Sequence, residues 1–403
     1  MKKLFIIFLS PLFFLFYGAS MDNLPISIGP CFLFSGYKTD KNINEIKKED
    51  NHRLHKEFNI EAGKTLNIDL NSGGAITVLG WDKNVLSADV ESSHNNLDDY
   101  NIEFDVTKDG IDVSSKNDYN SNSSSLGFTF QVPSHFNLHI ETMGGSVTIK
   151  NVNGEIEGKT MGGALVLTKL KGNLDLETMG GAIKLSDSEV DGRVHTMGGP
   201  VEITNVKGSV KGTTNGGPVI MKNVTSKDGS SSGDVFTVSS MGGNINVDEA
   251  PSGADLKTMG GAITVKSAKK FVKAKTMGGS IEIENTDGSI DASTMGGDIN
   301  AEVVGNPNDG NKDVTLSSKA GDITLVVPNG LSMDIDITLA YTKNNEGDYK
   351  IYSDFPISQE TTPEWSHKHG TARKFIYGKG KTGDGKNKIK IETINGNVYL
   401  KKG

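Results

Sequence analysis

The sequence predicts an all-β fold: a single elongated parallel β-solenoid (β-helix) with 18-residue rungs, right-handed by preference and capped at both ends. Three observations lead there. A Thr-Met-Gly-Gly tetrapeptide recurs every 18 residues, each copy is followed by a short apolar alternation, and no comparable stretch shows a convincing 3.6-residue apolar period.

The repeat opens at Thr142-Met143-Gly144-Gly145 and returns at Thr160-Met161-Gly162-Gly163, Thr178-Met179 and Thr196-Met197, always 18 residues apart. Thr214-Asn215-Gly216-Gly217 keeps the interval with Asn in place of Met. An eight-residue insertion centred on Asp228 to Gly233 delays the next copy to Ser240-Met241, and the interval resumes at Thr258-Met259, Thr276-Met277 and Thr294-Met295. After the glycines come Val147 and Ile149, Leu165 and Leu167, Ile183 and Leu185, Val201 and Ile203, and the same slots hold Ile245 and Val247, Ile263 and Val265, Ile281 and Ile283. Period-two alternation over so short a run is a half-buried strand. Turn signals follow at Asn153-Gly154, Lys171-Gly172, Lys207-Gly208 and Asp287-Gly288. A second apolar stretch, such as Leu174 and Leu176, then leads back to the next threonine.

One unit buries too little apolar surface to offset its ordering entropy, so units must stack. Copies of a strand then pair at about 4.8 Å, and nine or more rungs make a rod of roughly 45–55 Å. Each rung is a parallel crossover, for which the right-handed sense is the rule.

The flanks read in chain order. Residues 1–20 read as a secretory signal peptide, with a retained N-terminal anchor the alternative: Lys2 and Lys3, an apolar run from Leu4 to Tyr17, then Gly18, Ala19 and Ser20 at the expected cleavage site. Residues 21–57 are a loosely ordered lead-in, and 58–140 supply N-terminal strands and a cap, with Leu70 to Val78 a degenerate copy of the repeat. Strands are expected around Val85 to Val90, Ile102 to Val106 and Phe128 to Val132. Residues 141–330 are the solenoid, closing with an echo at Ser318 to Val326. Residues 331–403 hold C-terminal strands, Leu331 to Tyr341 and Ile389 to Leu400, around a polar, loop-rich basic cap from Thr342 to Gly385.

Charge and cysteine usage narrow the function. The formal charge is -8, and loss of Lys2 and Lys3 takes it to -10, which argues against nucleic acid as a partner. Cys31 is alone, so neither a disulfide scaffold nor a thiolate metal site is open to the chain. After removal of the signal no segment is apolar enough to span a bilayer as a helix. From Ser366 to Gly403 ten Lys and Arg face two acids. Arg373, Lys374, Lys379, Lys381 and Lys388 are therefore the candidate contact residues, either a solvated rim or a basic foot on an anionic surface.

A family resemblance rests on particular residues. Gly73-Gly74-Ala75-Ile76-Thr77-Val78 followed by Gly80-Trp81-Asp82, then Val132-Pro133 leading into the glycine repeats, resembles the putative-adhesin family of bacterial Gly-rich β-strand-repeat proteins. The ending Ile391-Glu392-Thr393-Ile394-Asn395-Gly396-Asn397-Val398-Tyr399-Leu400 is similar to that family's closing rung. The likeness runs from about Phe58 to the end and implies an exported solenoid with no established catalytic residues. The strict Thr-Met-Gly-Gly repetition is more regular than the family's pattern.

No residue pattern signals catalysis, and no cofactor or metal is implied. The methionine column is expected to pack as a ladder inside an irregular corner; an outward stripe would instead offer a soft contact surface or a thioether site for cuprous copper. The threonine column reads as a structural hydroxyl ladder, since an ice-binding array would not sit beside Glu141, Lys159, Glu177, His195, Lys257 and Lys275. The glycine pair serves a corner that needs positive φ or close approach of rungs. His52 with His55, and His367 with His369, are close histidine pairs without a third ligand nearby in sequence, too few for zinc. Asn306 to Asp313 lacks both calcium-loop signatures and reads as a rung insertion. The expectation is an exported envelope module, structural or adhesive, whose partner is a cell-surface glycan or another envelope protein. An accessory protein in envelope stress or signalling is the alternative, and a polysaccharide-active solenoid the weaker third reading.

Overall fold

A computed structural model describes residues 43–71, 73–93, 97–117, 126–225, 236–367 and 370–403. The signal peptide, Cys31 and the insertion centred on Asp228 to Gly233 lie outside the described residues. The fold is all-β, a largely parallel sheet of many strands; its helical elements among the described residues are two three-residue 3-10 turns, Leu97–Asp99 and Lys343–Asn345.

Two parallel ladders run through the repeat region. In one, the strand after each glycine pair stacks on its own copy: Val147 opposite Leu165, Leu165 opposite Ile183, Ile183 opposite Val201, each 18 residues on. In the other, the strand ending at each threonine does the same, with Thr142 opposite Thr160, Thr160 opposite Thr178 and Thr178 opposite Thr196. The register survives the insertion, because Val219 pairs with Ile245 and Thr214 with Ser240. Between the ladders lies one continuous apolar core in which Val147, Leu165, Ile183, Val201, Ile245 and Ile263 are all buried. Each such side chain stabilises the stack by about 1.5–3 kcal/mol relative to exposure.

In five successive units the chain leaves the first ladder through a left-handed residue at the same place: Asn151 (φ 59°), Lys169 (55°), Asp187 (51°), Asn205 (55°) and Asn223 (50°). This bend precedes the Asn-Gly and Lys-Gly pairs that mark the turn in the sequence; at Gly154 and Gly172 the next strands, Asn153–Thr160 and Lys171–Thr178, have already begun. Asn and Asp tolerate left-handed backbone, and their side chains add a ladder of their own. Asn205 Nδ2 donates to Asp187 Oδ1 at 2.9 Å, and Asn223 Nδ2 to Asn205 Oδ1 at 3.0 Å.

At the N-terminal end Thr65–Leu70 and Ala75–Trp81 continue the stack, with Leu70 opposite Thr142 and Ile76 opposite Val147. Gly110–Asn117 and Leu126–Pro133 lie beyond them, still parallel. Antiparallel strands then close the end: Val85–Ser92 on Leu126–Pro133, Arg53–Asn59 on Val85–Ser92, Ile43–Asp50 on Arg53–Asn59, and Tyr100–Val106 on Gly110–Asn117. Residues 43–57 are thus paired strands, which corrects the expectation of a loosely ordered lead-in there. Their alternation is disguised because Lys56 stands in the same alternating series as Leu54 and Phe58. Its ammonium lies 4.6 Å from the Phe104 ring centroid, and burial lowers its pKa.

The C-terminal end is built the same way. Asn387–Ile394 and Val398–Lys402 stack on Val314–Ser318 and Ile323–Val327. Met333–Thr342 and Ile351–Ser353 lie outside them, and the antiparallel strands Arg373–Thr382 and Ser358–Thr361 close the edge. Arg373–Thr382 lies within the stretch expected to be loop-rich; its Gly378 and Gly380 interrupt the apolar alternation that would have marked it.

Lys169 is the one non-Asx residue among these five left-handed bends. Lys169→Asn should raise stability by about 0.5–1 kcal/mol, part of the roughly 1–2 kcal/mol left-handed cost for an ordinary residue. A higher midpoint in denaturant melts is the expected result; an unchanged or lower midpoint would show that the bend carries no such cost.

Candidate functional site

The Thr-Met-Gly-Gly corner joins the two ladders, and each of its four residues has a separate environment. The threonine points inward and is buried at Thr160, Thr178, Thr196, Thr214, Thr258, Thr276 and Thr294. Its hydroxyl donates to the second glycine of the preceding unit: Thr178 Oγ1 to Gly163 O, Thr196 Oγ1 to Gly181 O and Thr276 Oγ1 to Gly261 O, all at 2.8 Å. The same hydroxyl accepts from the second glycine of its own unit, as Gly181 N does to Thr178 Oγ1 and Gly199 N to Thr196 Oγ1 at 3.2 Å. Ser240 and Ser318 occupy the slot with the hydroxyl kept, bonding Gly217 O at 3.0 Å and Gly297 O at 2.9 Å. One hydroxyl therefore closes the corner and ties it to its neighbour, which is the hydroxyl ladder expected from the sequence.

The second glycine is fixed by close approach. A Cβ at Gly163, Gly181, Gly199 or Gly217 would lie 1.7 to 2.2 Å from the preceding glycine's carbonyl oxygen. Positive φ plays a part only at Gly145 (φ 90°) in this column. The first glycine is different: nothing lies within 4 Å of a Cβ at Gly144 or Gly162, and at Gly180 the nearest atom is 3.6 Å away.

The methionines point outward. This corrects the expected packed ladder: the corner's interior is already filled by the threonine, so the next residue along the strand faces solvent. Met143 and Met295 at the two ends are 59% and 57% exposed, whereas Met179 and Met197 are 40% and 43%. Met161, Met241, Met259 and Met277 lie between these limits. Exposure falls inward from both ends, as it does when each side chain is covered by its neighbours in the column.

The C-terminal candidate residues separate. Lys379 stands opposite Asp336, and Lys381 opposite Asp334, on the strand Met333–Thr342. The same two aspartates face Lys390 and Lys388 on their other side. The basic run is thereby interleaved with acids from a different part of the chain, giving alternating charge rather than the basic foot that counting residues 366–403 suggests. Lys374 instead lies over the Trp365 ring, 5.1 Å from its centroid, and Trp365 meets Tyr341 edge-on at 5.7 Å. Arg373 pairs through its backbone with Ser366. An aromatic pair not anticipated from the sequence is also present: Tyr352 and Tyr399 stack at 5.0 Å and 4°, Tyr352 is exposed, and Lys401 approaches the Tyr399 ring at 5.6 Å. Only the register of Ile351–Ser353 on Val398–Lys402 brings these tyrosines together.

Other candidate groups are dispersed. His55 Nδ1 bonds Asp89 Oδ1 at 2.6 Å, while His369 lies outside the described residues. In the loop from Asn306 to Asp313 the buried cation is Lys312, held by the Asp287 carboxylate and by Val304 O at 3.0 Å. A shallow groove of about 490 Å³ along the stack carries Glu155, Glu157, Asp175, Asp191, Arg193 and Lys211. Arg193 Nε donates to Asp175 Oδ1 there at 2.7 Å, which raises the guanidinium pKa. Among the described residues no three His, Cys, Asp or Glu side chains gather to hold a metal ion.

Structural comparison matches the chain over most of its length to two solved proteins. One is a putative cell adhesion protein from Clostridium sporogenes, at 11% identity over 87% of this chain and 100% of the other, with a TM-score of 0.16. The second is a putative adhesin from Bacteroides fragilis, at 11% identity over 88% of this chain and 98% of the other, with a TM-score of 0.18. At such TM-scores neither match carries an argument about function. No family model matches the sequence, and no curated protein matches it.

The corner separates its two glycines experimentally. Gly181→Ala places a Cβ 2.0 Å from Gly163 O and should destabilise by more than about 3 kcal/mol, whereas Gly180→Ala should change stability by less than about 0.5 kcal/mol. Thr178→Val strands both hydrogen-bond partners and should cost about 1–3 kcal/mol. Equal melting points for the two alanine variants would contradict this assignment.

Proposed function

We propose that the chain is a right-handed parallel β-solenoid of 18-residue rungs, exported to the cell envelope, where it acts as a structural or adhesive module without catalysis. Its end contact is a cell-surface glycan. The 18-residue register of both ladders supports the rung length, and the right-handed sense follows the rule for parallel crossovers. Export rests on the residue 1–20 signal.

The observation that carries the contact is the Tyr352–Tyr399 pair on the outer layers of the C-terminal end. Stacked tyrosines offer a large, rigid, amphipathic surface at little cost in side-chain entropy, and tyrosine is enriched where proteins meet partners. Lys401 beside Tyr399 adds a cation, while the interleaved charge around Lys379, Lys381 and Lys388 supplies the polar surroundings.

The test is binding to whole cells and to a glycan array, comparing the native protein with Tyr352→Ala, Tyr399→Ala and the double variant. Loss of at least tenfold in the double variant is expected, with Lys379→Ala and Lys381→Ala costing less. Undiminished binding by the double variant would remove the contact from this end of the stack.

A further inference from the structure

Two columns of the repeat stay constant without a reason in the fold. The threonine is fixed by its two hydrogen bonds and the second glycine by the carbonyl it approaches. Methionine and the first glycine are fixed by neither: the one is exposed, and the other has open space for a Cβ at Gly144 and Gly162 and meets a backbone oxygen no nearer than 3.3 Å elsewhere in the column. Positions of this sheet without such constraints do vary. The column just before the threonine reads Glu141, Lys159, Glu177, His195, Thr213, Ser239, Lys257, Lys275 and Ser293. The buried column after the glycines exchanges Val, Leu and Ile freely. Yet through the nine units from Thr142 to Thr294 the methionine column holds eight Met and one Asn, without the Leu or Ile that would present similar apolar area; Lys319 and Ile394 take the position only in the last layers, after Ser318 and Thr393. Of the properties methionine adds to that area, the thioether sulfur is the one with ligand chemistry.

We propose that this column is a thioether ladder that binds a soft monovalent metal ion, Cu(I), between methionines of adjacent layers. Parallel strands hold neighbouring layers about 4.8 Å apart. Metal–sulfur bonds of about 2.3 Å, the zinc–thiolate length, let one ion bridge two sulfurs roughly 4.6 Å apart. The layer spacing therefore presets a two-sulfur span, and a third methionine from the next layer can close from the side. Exposure falls from 59% at Met143 to 40% at Met179 and from 57% at Met295 to 46% at Met241, the trend that mutual cover by side chains of adjacent layers would give. The bare first glycine leaves the sulfurs open to an incoming ion. Thioethers are uncharged and soft, so Mg²⁺, Ca²⁺ and Mn²⁺ find no suitable ligands in the column. Asn215 divides it into two runs of four, Met143 to Met197 and Met241 to Met295, giving at least one site in each. This inference is independent of the glycan contact, which lies on other residues.

The test is titration of the protein with Ag(I) in chloride-free buffer, with Cys31 blocked by alkylation, and with Cu(I) under anaerobic conditions against a colorimetric chelator. The comparison is the variant M143L/M161L/M179L/M197L, which keeps the apolar surface and removes the sulfur from one run. The native protein is expected to bind at least two ions per chain, unchanged between pH 7 and pH 5 because a thioether carries no titrating proton. The variant should melt within a degree or two of the native protein and lose the sites of one run, about half the capacity, while the remainder keep native affinity. Absence of saturable binding, full capacity in the folded variant, or loss of binding at pH 5 would each overturn the proposal. Should the variant fail to fold, the complementary set M241L/M259L/M277L/M295L gives the same reading from the other run.

Discussion

The closeness of successive glycine backbones at the corner is the constraint on which the rest of the stack depends. With the carbonyl of one layer lying where the next would carry a Cβ, the second glycine admits no side chain, and the buried threonine hydroxyl holds both layers in place. The consequence is visible in spacing. From Thr142 onward the step from the threonine slot to the next buried strand position is five residues in layer after layer: Thr142 to Val147, Thr294 to Ile299, Ser318 to Ile323, Thr393 to Val398. Departures from the 18-residue period leave from the opposite side of the unit. The insertion after Thr225, the loop from 304 to 313 and the excursion from 328 to 386 all fall between the strand that follows the glycines and the strand that leads to the threonine.

The same economy explains the ends. A parallel stack exposes unpaired strand edges that would template association. Here each end is closed by chain that leaves the stack and returns: 85–133 beside the first layers, 331–382 beyond the last. In both places parallel strands give way to antiparallel ones. The final strand in sequence, Val398–Lys402, is consequently not the outermost in space, because Ile351–Ser353 lies over it.

Much of this was legible in the sequence because the period is short and its glycines and threonines are fixed by local geometry. The strands, the register, the core residues and the hydroxyl ladder follow from residues 142 to 303 alone. Three things did not. Methionine's direction hinges on where within four residues the corner bends, and spacing does not settle that. Residues 43–57 conceal their strand pairing because Lys56 stands where an apolar residue would announce it. The interleaving of charge at the C-terminal end is hidden because Asp334 and Asp336 reach the lysines from some forty residues away in sequence. Contacts set by long-range register, the Tyr352–Tyr399 pair among them, leave no local signal.

A rigid column with constant outward positions is suited to presenting chemistry at fixed intervals, whether sulfur along its length or aromatic rings at its end. Both depend on the corner holding each layer in register. Residue-resolved hydrogen exchange on the native protein tests that most directly. The amides of Gly181, Gly199 and Gly217, bonded to buried threonine hydroxyls, should exchange in the slow class of the core strands. Exchange of these amides at the rates of exposed turns would mean that the corner opens independently, and that something other than the threonine–glycine latch holds the stack together.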